Sequence, residues 1–196
     1  APGQMRLYAY QAIAHGADAI LFFRWRSCRF GAEQFCDGIL GHDGIPKRRY
    51  LEAKKMGKEL QKIADKITGG EVNARVAIMR SADNDWSFEI QPLVKGRSYY
   101  DYMLRYYGAL LKNNIQADVV PPDANLEKYK IVFAPALALV NEKMKDNLAN
   151  FIKQGGILVS GFRTGTRNWN NQISEETQPG ILRDIFGIEV EEYGVI

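Results

Sequence analysis

Apolar residues recur every three to four positions near the start of the chain, at Leu7, Tyr10, Ile13 and Ala14, which predicts a helix over residues 4–17. His15-Gly16 marks its end, because glycine accepts the left-handed backbone of a C-terminal cap. The next apolar stretch, Asp18-Ala19-Ile20-Leu21-Phe22-Phe23, does not alternate with polar residues and predicts a strand buried on both faces. An irregular segment through Gly31, Gly38, Gly41 and Gly44 follows. Helical spacing then returns over residues 47–66, with Ala53, Met56, Leu60, Ile63 and Ile67, until Thr68-Gly69-Gly70 stops it.

After that break the pattern restarts. Strands are predicted at 72–79, 117–120, 131–134 and 157–160, with helices over 99–114, 141–154 and about 180–186, leading to Ile188-Glu189-Val190. The helix over 99–114 is expected to turn Tyr100, Met103, Leu104, Tyr107, Leu110 and Leu111 inward; that over 141–154 is expected to turn in Met144, Leu148, Phe151 and Ile152. Trp86, Phe88, Tyr99 and Tyr100 fall in or beside the loop after the first of these strands, as core or as a subunit contact. Strands alternating with helices predict a flavodoxin-like, doubly wound, mainly parallel sheet. Two units are therefore expected, residues 1–68 and residues 71–196. In the first, one strand between two helices cannot bury its own surface and expects neighbours the chain does not supply. The ending Glu191 to Ile196 looks like an interruption of the second.

Charge and composition narrow the chemistry. The net charge of +3 is spread along the chain rather than gathered in a basic stripe with aromatics, which argues against a nucleic-acid partner. No apolar run approaches the roughly 20 residues that span a bilayer. Two histidines and two cysteines, Cys28 and Cys36, match no common metal spacing, so no metal is expected; the cysteines read as free thiols of a reducing, cytoplasmic setting. No cofactor is expected either. The loop Arg80 to Trp86 is acidic where a flavin phosphate would need donors, and Gly161 to Gly165 lacks a dinucleotide fingerprint. Residues 71–196 hold no Cys and no His, which removes an amidotransferase-like nucleophile.

Arg6-Leu7-Tyr8-Ala9-Tyr10-Gln11-Ala12-Ile13-Ala14-His15-Gly16-Ala17, then Phe22-Phe23-Arg24-Trp25-Arg26, Gly31-Ala32-Glu33-Gln34-Phe35, His42-Asp43-Gly44 and Arg48-Arg49-Tyr50, resemble family-42 β-galactosidases near the end of their catalytic barrel. Gly155 to Gly165 and Leu182 to Tyr193 resemble that family's trimerisation domain. The resemblance implies that residues 1–68 are the terminal segment of an incomplete (β/α)8 barrel and residues 71–196 an assembly domain of a homotrimer. It implies a retaining enzyme with two glutamates about 5–5.5 Å apart, acid/base and nucleophile, acting on terminal β-D-galactose. Both glutamates are expected ahead of Ala1, leaving this chain catalytically silent.

Within the chain, the resemblance assigns Glu33 to the hydroxyls of a bound galactosyl group, a task suited to a carboxylate that accepts two hydrogen bonds. Cys36 stands where some members carry a sugar-contacting histidine, a departure that weakens the contact, since a thiol is a poor hydrogen-bond partner. Arg24 and Trp25 end the predicted strand beside the sugar site. A different class of function, a stand-alone α/β ligand-binding or regulatory module, is the alternative reading for residues 71–196.

Overall fold

The computed structural model describes residues 1–92 and 98–194 and divides the chain into two compact units, Ala1–Val72 and Asn73–Ile196. The chain end Val195-Ile196 lies outside the described residues.

In the first unit, α1 (Gln4–Ala14) packs against α2 (Arg48–Gln61), and a single turn α3 (Ala64–Ile67) follows. α1 closes with Gly16 at φ 95°, its amide donating to Ile13 O at 2.9 Å. Arg6 Nε pairs with Glu59 Oε2 at 2.6 Å and its guanidinium lies 4.7 Å over the Tyr10 ring, joining the two helices. The helix expected over 47–66 is interrupted after Lys62, at Ile63, where the backbone leaves helical geometry.

Residues 18–23 are not a strand here, which corrects the sequence expectation: they pair with no other backbone among the described residues. The period of two survives in part: Ile20 and Phe22, with Ala19 beside them, line an apolar cavity with Tyr50, Ala53, Met56 and Leu60 of α2, while Leu21 and Phe23 are 93% and 76% exposed. The segment carries the side-chain pattern of a two-face-buried strand, and a strand is defined by partners. In this unit only Ala9, Leu40 and Met56 are buried among its apolar side chains.

The second unit is a four-stranded, all-parallel sheet in the order β2-β1-β3-β4, made of β1 (Val76–Met79), β2 (Ala117–Val120), β3 (Ile131–Ala134) and β4 (Ile157–Ser160). Val76 lies beside both Ala117 and Ile131, so β1 is central and all four of its residues are buried. This is the flavodoxin-type order, with its topological switch between β1 and β3. Ala77, Met79, Val132 and Ala134 pack with Met144, Leu148 and Phe151 of α6 (Glu142–Lys153). On the opposite face Phe133 meets Tyr106 of α5 (Tyr99–Lys112), ring centroids 5.4 Å apart.

Two expectations for this unit are corrected. Residues 82–90, read as loop, form α4 (Ala82–Ile90), capped by Ser81 Oγ accepting from the Asn84 amide at 3.2 Å. Trp86 and Phe88 are therefore helical; Phe88 and Tyr99 are core, whereas Trp86 and Tyr100 are exposed. The inward face of α5 is rotated from the expected one: Tyr99 and Met103 are buried, and Tyr100, Leu104 and Leu111 face solvent. Near the chain end, residues 180–186 form a 3-10 turn (Gly180–Leu182) and a short α7 (Arg183–Phe186), and Ile188 to Val190 pair with no strand among the described residues.

Candidate functional site

The loop after residues 18–23 is built by backbone rather than by a core. It doubles back so that Ile39 N donates to Arg24 O at 2.9 Å, Leu40 N to Trp25 O at 2.8 Å, and Ser27 N to Leu40 O at 3.0 Å. Buried Ser27 Oγ accepts from Gly38 N at 2.9 Å. A Cβ at Gly38 would stand 2.7 Å from Arg26 C and Ser27 N, so this close approach admits only glycine. Arg26 Nη2 donates to His42 O at 2.7 Å, and an Arg49–Asp37 ion pair at 2.6 Å ties the loop to α2.

On this frame Arg24 Nη1 meets Glu33 Oε2 at 2.8 Å, an ion pair across nine positions of chain. The pairing fixes the direction of the carboxylate through one oxygen, and among the described residues no hydrogen bond engages Oε1. The Cys36 amide donates to Glu33 O at 2.9 Å, which places Cys36, exposed and a free thiol, on the same turn. His42 Nε2 lies 2.6 Å from Gln34 O and clasps that turn from below. Arg24, Glu33 and Cys36 are thus brought together. Trp25 is not with them: its ring stands edge-on to Tyr50 at 6.0 Å and lines the apolar cavity against α2. Arg49 belongs to the Arg48-Arg49-Tyr50 motif, whereas Asp37 and the close approach at Gly38 have no local signal beyond the Gly-rich spacing of the loop.

Four other carboxylates of this unit, Asp37, Asp43, Glu52 and Glu59, are tied to cations. Arg49 holds Asp37, Lys47 holds Asp43 and Arg6 holds Glu59 below the usual carboxylate range. A glycosidase acid/base needs the opposite displacement. In the second unit, the loop after β1 offers Asp83 and Asp85 in the first turn of α4, Asp85 being 3.1 Å from Arg80. Among the described residues no group of His, Cys, Asp and Glu is arranged to hold a metal ion, and no helix is long and apolar enough to cross a membrane.

Comparison with known proteins places this geometry. Residues 1–63 match the family model described as Beta-galactosidase, and residues 74–196 match the Beta-galactosidase trimerisation domain. A β-galactosidase of Clostridium cellulovorans is 37% identical over the whole chain, which covers 30% of that protein. One from a Geobacillus species is 42% identical over 98% of the chain and 29% of its own length. The crystal structure of a β-galactosidase from Bacillus circulans sp. alkalophilus superposes with a TM-score of 0.88 at 36% identity, over 97% of this chain and 29% of that one. The class these features define is the glycoside hydrolases, as a barrel segment followed by a parallel α/β domain. The chain belongs to glycoside hydrolase family 42, the β-galactosidases, and spans about 30% of the length of the curated relatives it matches.

Proposed function

We propose that this chain serves a retaining β-galactosidase that releases terminal, non-reducing β-D-galactose, contributing part of the barrel wall with residues 1–68 and an assembly domain with residues 71–196. The observation that carries the reading is the match of both parts, in order, to β-galactosidase models. Glu33 accepts a galactosyl hydroxyl through Oε1 while Arg24 holds Oε2 in place, and the exposed Cys36 sits at the edge of the same subsite. Trp25, packed on Tyr50, braces the loop from the helix side.

The acid/base and nucleophile of the double displacement lie outside this chain. For the acid, the cation-bound state of Asp37, Asp43 and Glu59 accords with that assignment, since each is held as a carboxylate rather than poised to donate a proton. The chain on its own is therefore inactive. Purified chain incubated with a chromogenic β-galactoside gives no turnover above buffer; hydrolysis that persists through re-purification overturns the reading.

The assembly domain forms a homotrimer. Its support is the match of residues 74–196 to a trimerisation-domain model, together with apolar side chains in solvent on two packed helices: Trp86 and Ile90 on α4, Tyr100 and Leu104 on α5. Neither a nucleic acid nor a membrane belongs to this function. Two free thiols, one of them exposed, accord with a reducing, cytoplasmic setting.

A further inference from the structure

Among the described residues Arg167 is the most deeply buried cation of the second unit, at 8% exposure, and none of its partners is an acid. Its Nη1 donates to Ser87 O at 3.2 Å, to Ser87 Oγ and to Asn171 Oδ1 at 2.8 Å; its Nη2 donates to Gln91 Oε1 at 3.3 Å. Four neutral oxygens orient the guanidinium but do not neutralise it, which is an expensive arrangement for a buried charge. These bonds use Nη1 fully and, among the described residues, leave Nε–H and one Nη2–H without an acceptor.

A second arginine compounds the imbalance. Arg163 lines the same small cleft as Arg167, with Phe88, Gln91, Ala138 and Thr166. Its guanidinium rests 4.0 Å from the centre of the Tyr193 ring and has no carboxylate partner among the described residues. Its backbone is left-handed, at φ 60°, in a loop fixed by Thr166 Oγ1 donating to Arg163 O at 2.8 Å. Burial and the nearby Arg163 charge both push the Arg167 pKa down, the sign of a cation that lacks a counter-charge.

The cleft is formed by segments that follow β1, β3 and β4, beyond the carboxyl ends of the parallel strands. In open α/β sheets that is the side where ligands bind. Its two unneutralised guanidiniums differ from the acidic loop after β1, where Asp85 is already paired with Arg80. We propose that the Arg163–Arg167 cleft is a binding site for a small inorganic oxyanion of the phosphate or sulfate type. The space open to the centre of a water-sized sphere is about 20 Å³, room for one or two waters or a single oxyanion head and too little for a sugar or a nucleotide. Arg167 supplies fixed donors, Arg163 a half-buried charge that reaches the anion from the rim. This site is independent of the galactoside reading, since it lies wholly in the second unit.

The test is a titration of the 196-residue chain with inorganic phosphate at constant ionic strength, balanced with chloride, followed by backbone amide and arginine Nε–H resonances. Saturable one-to-one shifts at the amides of Gln91, Thr166 and Arg167 are expected, with a Kd at or below about 1 mM. Arg163→Gln weakens binding about tenfold or more and leaves the remaining spectrum in place, because Arg163 makes no side-chain hydrogen bond that the fold requires; Arg163→Lys, which keeps the charge, loses less. Shifts that grow linearly without saturation, or an affinity that Arg163→Gln leaves unchanged, overturn the proposal. Should Arg163→Gln fail to fold, the Arg163→Lys comparison decides in its place: unchanged affinity with unchanged Arg167 Nε–H shifts counts against the site.

Discussion

Asn84 has no exposed surface, yet its side chain is polar at both ends. Its Oδ1 accepts from the Leu139 amide at 3.0 Å and its Nδ2 donates to Leu139 O at 3.4 Å, so the amide works as a one-residue strand bridging α4 to the loop after β3. That loop also holds Arg167, whose amide donates to Ala138 O at 3.0 Å. Asn84→Ala strands a buried N–H and, more weakly given the longer bond, a buried carbonyl. Each unsatisfied group costs about 1–3 kcal/mol, and the sum here is about 3 kcal/mol. For a unit of this size that corresponds to a fall in Tm of roughly 10 °C. Asn113→Ala is the control: its Nδ2 bonds Ala109 O at 2.8 Å on an exposed helix end, and its loss costs under about 0.5 kcal/mol. Thermal unfolding followed by circular dichroism reads both. A drop for Asn84→Ala no larger than that for Asn113→Ala would refute the claim that buried hydrogen bonding, rather than apolar packing alone, fixes this loop.

In a full-length enzyme carrying this sequence, Glu33→Gln lowers kcat/KM by about 1.5–3 kcal/mol through loss of a charge-assisted bond to a sugar hydroxyl, with unfolding unaffected; an unchanged specificity constant returns Glu33 to the surface. The Glu59 carboxylate is depressed by Arg6, so its contribution to holding α1 on α2 is present above the ordinary Glu pKa and lost as pH falls through the lower, folded value. An NMR titration of Glu59 reads this directly, and Arg6→Gln should return its midpoint towards that of a free glutamate. Sedimentation of the chain and of a version starting at Glu71 should show both associating, with Trp86→Glu weakening the association; a monomeric shorter chain would move the contact to residues 1–68.

The bounds of β3 and β4 were legible because each is a short apolar run, and those of the edge strand β2, which carries Asp118, because Pro121-Pro122 closes it. α6 was legible for a related reason: Met144, Leu148 and Phe151 sit one turn apart on an otherwise polar helix, so only one face can be inward. On α5 the same reasoning lost its footing. Tyr99, Tyr100, Tyr102, Met103, Leu104, Tyr106 and Tyr107 are apolar nearly all round, and the position of the sheet, not the periodicity, selects Tyr99 and Met103 for burial. α4 has an acidic, weakly periodic sequence that reads as loop; it is helical because Ser81 caps it and Asn84 finds Leu139, a residue 55 positions away.

Residues 18–23 show the limit most plainly. Alternate side chains point to opposite sides as a strand requires, but strand pairing is a property of neighbours, and sequence cannot supply them. The site divides in the same way. That Glu33 lies in a loop beyond an apolar run was readable from the chain, whereas its pairing with Arg24 depends on the fold-back that Gly38 permits. Trp25 follows the apolar run in the sequence, and its edge contact with Tyr50 of α2 is set by the fold, not by its place in the chain. The Arg163–Arg167 cleft had no sequence signature at all, because its walls come from three crossovers that meet only at the carboxyl end of the folded sheet.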